Sequence, residues 1–502
     1  MTQTSSPASP ANVPGTATEH PSALHSSLGF LLAAAVDEIF PGREFYIEHS
    51  FLGGYFCHFG AANRTDGADL VALTETLRRY TADATPLELL ELDRQELQDR
   101  FSARGRKDKL EILRRLEGDR IPAARFGSYL DYRLEPMITD LTRLGKFGLD
   151  PYDHGIVLRF PGLLPPYEVP PFRDSPKLYQ IIQQRQKWGR ALHINNLRQL
   201  NLLLDRSDFR ETLMVAEGLH EKTVAEIADA IAARPDQRVI FVSGPSASGK
   251  TTFTKRLAIQ LKVLGFDTLV ISMDNYFRDR SDLTLGPDGV HDFESLEGVD
   301  ATRMIRDLTA LLDGTQVARR SYSFREGRGA NTGGFLQISP TAFLLVEGIH
   351  GLNPLFTEEL GRHNLQRIYV SAITQLNIDN EHRVSSSDSR LLRRMVRDRQ
   401  FRGYNAEETI LRWPTVRMGE ERHIFAYQEA ADLMFNSSLV YELAALREPA
   451  EMALREVPAD SPAGDEAGRL LTFLSFVHPI DADAVPRNSI LREFLGGSAF
   501  DY

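Results

Sequence analysis

The chain has 502 residues, 42% hydrophobic and 25% charged, with a formal net charge of −11; such a length exceeds one ordinary core and calls for two or three globular domains. The acidic balance argues against bulk nucleic-acid binding. The one cysteine, Cys57, excludes an internal disulfide and fits a reducing, cytoplasmic setting, and apolar runs such as Phe30 to Val36 are far too short to span a bilayer.

Residues 1–19 are rich in Ser, Pro, Ala and Thr and lack a basic stretch followed by an apolar one, so they read as a disordered tail. A smaller α+β domain is expected over 20–165. It holds an amphipathic helix at Ser26 to Ile39 and strands near Glu44 to Ile47 and Tyr55 to Phe59. Gly162 to Pro171 is proline-rich and reads as a linker. Helical patterning then fills Ser175 to Ala233, its last piece, from Glu211, stopping before Pro235. Residues 166–235 are therefore taken as linker and helical segment.

From Arg238 the texture changes. Apolar runs at Val239 to Val242, Thr268 to Ser272, Phe343 to Val346 and Ile368 to Val370 alternate with helical stretches. This predicts an α/β domain over 236–448, a parallel sheet with helices on both faces. An extension, 449–502, is expected to be helical and then irregular and to pack on that domain.

Between the first strand and the helix after it lies Gly244-Pro245-Ser246-Ala247-Ser248-Gly249-Lys250-Thr251, which meets GxxxxGK[ST] at every fixed position. Glycines let the backbone curl so that several N–H groups face one phosphate chain, and the helix N-terminus adds a favourable dipole. Gly244 through Thr252 are thus the expected nucleotide-binding residues of a P-loop, with Lys250 reaching the terminal phosphates and Thr251 a magnesium ion. Two acids follow later strands: Asp274 after Leu269 to Met273, and Glu347 after Phe343 to Val346. At the carboxyl ends of parallel strands they can take a proton from an attacking hydroxyl or hold magnesium; a capping role is the plainer alternative. Residues 390–402 carry six arginines in thirteen positions, with almost no acid among them. Leu391, Leu392 and Met395 would form one helical face and leave the arginines on the others. A solvated charged helix is the plain reading, and a cationic lid over phosphates the functional one.

These features, in this order, resemble the uridine kinase and phosphoribulokinase family over about Arg238 to Leu446. The segments that carry the resemblance are the P-loop, ISMDNYF, HDFESLEGVD, SYSF, LLVEGIHGLNP and the arginine run. LHEKTVAEIADAI, TQLNID, WPTVRMGEE and MFNSSLVYEL look like bacterial nucleoside kinases with an extra N-terminal domain. The resemblance implies ATP and Mg2+ as cofactors and a nucleoside as acceptor. Asp274 matches the base that deprotonates the 5′-hydroxyl, Thr251, Glu347 and Asp274 the magnesium site, and Glu294 the residue that holds the ribose hydroxyls. Tyr322 and Phe324 match the base pocket, Arg394 an arginine near the nucleoside, and Arg397 and Arg402 the lid arginines on the phosphates. An oligomer is also implied. Gly327 stands where pyrimidine kinases of the family use a histidine, and Tyr404 replaces a substrate-side arginine.

The N-terminal region, 20–165, also resembles the second additional domain of threonyl-tRNA synthetases, through the stretches His25 to Val36, Glu38 to Pro41 and Gly53 to Phe59. The domain's His-x-x-x-His pair is broken here, because Gly29 stands four residues after His25, and the segment Asp131 to Pro136 carries no cysteine. That ligand loss implies a binding or regulatory remnant, with His20 and His25 ordinary histidines. A kinase for a sugar phosphate or other small alcohol, and a nucleotide-gated RNA-binding module, are the competing expectations.

Overall fold

The computed structural model describes residues 21–60, 65–82, 85–162, 168–206, 208–283, 294–361, 364–374 and 376–501. The expected tail at 1–19, His20, residues 163–167 of the linker and the start of the HDFESLEGVD segment lie outside them. Among the described residues no helix is long and apolar enough to cross a membrane. The chain divides into two compact units, one comprising 1–45, 58–97 and 118–170, the other 46–57, 98–117 and 171–502.

The first unit is built on the helices Pro21–Ile39 and Gly67–Ala82. Leu28, Leu31 and Leu32 of one and Leu73 and Leu77 of the other are wholly buried, as their helical spacing requires. Tyr80 donates to Glu38 across the pair at 2.7 Å. The strands Glu88–Asp93, Arg120–Phe126 and Tyr129–Tyr132 form an antiparallel sheet, and Gly148–Tyr152 and Gly155–Arg159 a hairpin. The first helix begins five residues before the expected Ser26 and ends at Ile39 as expected.

In the second unit a five-stranded sheet carries the fold. Its strands are β1 (Val239–Ser243), β2 (Thr268–Ser272), β5 (Phe343–Glu347), β6 (Leu365–Ser371) and β7 (Leu433–Asn436), while β3 (Val317–Ser323) and β4 (Arg328–Leu336) form a separate antiparallel hairpin. The order is β7-β6-β1-β5-β2, and every adjacent pair is parallel. All five residues of β1 and of β5 are buried, which is why these strands read as unbroken apolar runs and not as alternation. β7, only four residues long, gave no such run and was not anticipated.

The helices that bear on the site are α1 (Phe209–Ala232), α2 (Lys250–Val263), α3 (Ser386–Arg397), α4 (Ala406–His423) and α5 (Glu442–Leu454). Arg256 of α2 is tied to Glu221 of α1 at 2.6 Å. The boundary expected at 448/449 falls inside α5, which runs through Pro449. From β1 the chain crosses to β2 on one side and later returns to β6 on the other. A crevice therefore opens at the carboxyl end of β1, where α/β sheets bind ligands.

Candidate active site

The segment that leaves β1 curls back on itself. Ser248 N–H donates to the Pro245 carbonyl at 3.2 Å, Ala247 takes φ +57° and Gly249 φ +83°, and α2 starts at Lys250. A positive φ at alanine costs of order 1 kcal/mol and persists only where the surroundings hold it. Here Arg393 donates to the Ala247 carbonyl at 3.4 Å. Lys250, 9% exposed, reaches the Pro245 carbonyl with its ammonium at 3.0 Å. Burial pushes that ammonium below its ordinary pKa, against the pull of Glu347 and Asp274.

The register of β5 puts Glu347 beside Ser272 of β2 and Val242 of β1. Asp274 follows in a 3₁₀ turn, Met273–Tyr276, capped by the Ser272 hydroxyl. Burial first, and then the charge of Asp274, push the Glu347 carboxyl up to about 7. A hydroxyl at Thr251, a carboxyl whose ionisation its neighbour opposes, and a buried lysine are together a donor set that gains from a divalent cation and a phosphate chain. These residues therefore fit magnesium and a nucleoside triphosphate.

The open cleft over this loop spans about 1000 Å³, part of it open to solvent, and Ser246 through Thr251, Asp274, Glu294, Phe324, Glu347, Arg394, Arg397 and Arg402 line it. Most of the expected site residues thus meet at one place, while Gly244, Pro245, Thr252 and Tyr322 are not among the lining residues. The Tyr322 ring packs on Phe324 and Phe277 at 5.1 and 5.6 Å. Thr252 is the first residue inward from the lining part of α2 and is fully buried.

The arginine run differs from its sequence reading. Arg390 and Arg393 are 3% and 0% exposed, because acids from elsewhere in the chain meet them. Arg390 pairs with Glu420 through both nitrogens, one at 2.8 Å, and Arg393 pairs with Glu442. The face expected to be charged and solvated is partly core, and only Arg394, Arg397 and Arg402 turn to the cleft. They share Asp398, at 3.3, 2.7 and 3.7 Å. Burial would raise the Asp398 carboxyl, but Arg397, Arg402 and Arg394 outweigh it and hold the group below its usual range. The charge of Arg397, then burial, pull Arg402 down to about 10, still cationic at neutral pH. Such crowding of like charge is relieved by a phosphate.

Sequence reasoning missed several lining residues: Phe277, Arg280, Arg412 and Glu493. Phe277 lies in the quoted ISMDNYF segment, and its ring meets Phe324 at 5.5 Å. Arg412 covers the Tyr404 ring at 4.4 Å. Glu420, also missed, accepts from Ser246 N–H at 2.9 Å while Arg390 donates to the Ser246 carbonyl at 3.1 Å and Arg394 to its hydroxyl at 2.8 Å. Every polar group of Ser246 is thus held by α3 or α4. No local pattern announces such a clamp.

A parallel sheet with a phosphate loop after its central strand is the fold of the P-loop kinases. Residues 239–443 match the sequence model of the Phosphoribulokinase / Uridine kinase family. A uridine kinase of Deinococcus deserti is 31% identical over 173 residues, which cover 34% of this chain and 73% of that protein. The uridine kinase of Chlamydia pneumoniae is 28% identical over 201 residues, 40% of this chain and 82% of its own. Among solved structures, the D-glycerate 3-kinase of Cryptococcus neoformans aligns over 41% of this chain and 89% of its own, at 15% identity and a TM-score of 0.28. The chain belongs to the phosphoribulokinase and uridine kinase family.

Proposed function

We propose that this chain is an ATP-dependent nucleoside kinase that phosphorylates a 5′-hydroxyl. The observation that carries the reading is the single cleft shared by the phosphate loop, Asp274, Glu347, Glu294 and the Phe324 ring. Asp274 takes the proton of the acceptor hydroxyl, since it lines the cleft beside the loop and lies in a capped turn that fixes its direction. Lys250 leaves the Pro245 carbonyl for the terminal phosphates, whose negative charge offsets the burial of its ammonium. Arg397 and Arg402 trade part of their bond to Asp398 for the transferring group, which gathers charge. Thr251, Glu347 and Asp274 would hold magnesium, which would supply neutralisation of phosphate charge.

On the acceptor side, Phe324 and Phe277, whose rings meet edge-to-face, offer apolar aromatic surface, and Glu294 a carboxylate for ribose hydroxyls, with Arg394 4.0 Å from it. Aromatic surface of this kind favours a base over a bare sugar phosphate. Gly327 has φ +68°, and a Cβ there would lie 2.8 Å from the Arg280 side chain. The base edge would then face Arg280, which also donates to the Phe324 carbonyl at 2.7 Å. We read the N-terminal unit as a binding or regulatory module and place the protein in the cytoplasm; the presence of a single cysteine, the buried Cys57, fits the second point. The test is Asp274→Asn: phosphoryl transfer should fall at least about a hundredfold while ADP binding persists. Full turnover in that variant would remove Asp274 from the mechanism.

A further inference from the structure

The first turn of α2 carries N–H groups that no helix carbonyl can satisfy. In a phosphate loop these are the donors that take nucleotide phosphate oxygens. One of them is already taken. Glu493 accepts from Thr252 N–H at 3.0 Å and from the Thr252 hydroxyl at 2.7 Å, both with the same carboxylate oxygen. Glu493 also lines the nucleotide cleft, and its charge acts on Lys250.

The carboxylate is held there by a built segment. It belongs to the short helix Arg492–Leu495, flanked by Ile490, Leu491 and Phe494, all 0% exposed. Arg492 fixes the turn by donating to the carbonyls of Ala482 at 2.9 Å and Gly496 at 3.2 Å. The Phe494 ring lies 5.2 Å from the Arg393 guanidinium of α3. Ile490 comes so close to the phosphate loop that a Cβ on Gly249 would sit 2.8 Å from it. The extension therefore rests on the loop itself.

One N–H cannot serve a carboxylate and a phosphate at full strength, and two anions at hydrogen-bond distance from the same donors repel. We propose that residues 486–499 form an autoinhibitory latch, in which Glu493 is an internal anionic ligand of the phosphate loop that a nucleotide must displace. A loop free of the latch binds nucleotide with its intrinsic affinity; the latched chain binds more weakly by the fraction of molecules in which the carboxylate is off. By linkage, nucleotide binding loosens the segment. This goes beyond the kinase reading, since it concerns nucleotide alone and holds for any acceptor.

The test uses the full chain and ADP, with no acceptor present. Binding is measured calorimetrically for the wild type, Glu493→Gln and Glu493→Ala. Glutamine keeps the shape and removes the charge, so a change seen in both variants reports the anion and not a packing defect. The latch predicts ADP affinity higher in both by on the order of tenfold. Hydrogen exchange of the wild type then reads the segment directly: ADP should speed exchange at amides 487–499. Unchanged or weaker affinity in both variants, or slower exchange of the segment with ADP, overturns the latch and makes Glu493 a fixed cap of α2. A chain that binds ADP as predicted but phosphorylates no nucleoside keeps the latch and discards the acceptor.

Discussion

Glu420→Gln leaves the Arg390 guanidinium in the interior without its charge partner. Glu420 is 0% and Arg390 3% exposed, and Arg417 donates to the same carboxylate at 3.0 Å. Burial would raise the Glu420 carboxyl, but Arg390 overcomes this and holds it low, so the pair is ionised. Removing one partner of a buried pair costs about 3–5 kcal/mol, a fall in Tm of roughly 4–7 °C for a unit of this size. Glutamine keeps some hydrogen bonding, which places the expected loss at the lower end. The double variant Arg390→Met with Glu420→Leu removes both charges and should recover most of the stability. It still leaves Ser246 N–H without its acceptor and the Ser246 carbonyl without its donor, so ADP affinity should stay reduced by about tenfold. Thermal denaturation and ADP calorimetry on the single and double variants separate the two effects. Recovery of both stability and ADP affinity in the double variant would refute the clamp, and so would a single variant that melts with the wild type.

Three further outcomes follow from other residues. Burial, and then the neighbouring His423, lower His350 to about 4 from an ordinary 6.5. The unfolded chain therefore binds the extra proton between these values, so the contribution to stability is complete above pH 6.5 and is lost as pH falls toward 4; denaturant titrations at several pH values should lose on the order of 3 kcal/mol less across that window in His350→Phe. A Cβ on Gly419 would lie 2.4 Å from that of Glu294, so Gly419→Ala should displace Glu294 and raise the acceptor KM several-fold with the KM for ATP unchanged; an equal rise in both would point to general distortion. Gly327→Ala, strained at φ +68° and pressed on Arg280, should lower stability by about 1–3 kcal/mol and alter the ratio of kcat/KM between nucleosides, which an unchanged ratio would contradict.

The phosphate loop was legible because its work is done by contiguous residues, and glycines at fixed spacing before a lysine leave a mark in sequence. Asp274 and Glu347 were legible for a related reason: each comes at the end of an apolar run that became a strand of the parallel sheet, fully buried in β5 and half-exposed at the sheet edge in β2. The arginine run misled because its counter-charges are distant. Glu420 lies 30 and Glu442 49 residues from the arginines they neutralise, and composition within a window cannot register them. Glu493 is 241 residues from Thr252, so nothing local linked them. β7 was missed because four residues are too few to show a period.

The central claim is that the acceptor is a nucleoside. Purified full-length protein would be given ATP and magnesium with uridine, cytidine, adenosine, guanosine, thymidine or ribulose 5-phosphate, and the products followed by mass spectrometry alongside ADP release. The account predicts a nucleoside 5′-monophosphate from at least one nucleoside, formed in step with ADP and lost in Asp274→Asn. ADP released only with ribulose 5-phosphate, or with no acceptor in the panel, would contradict it.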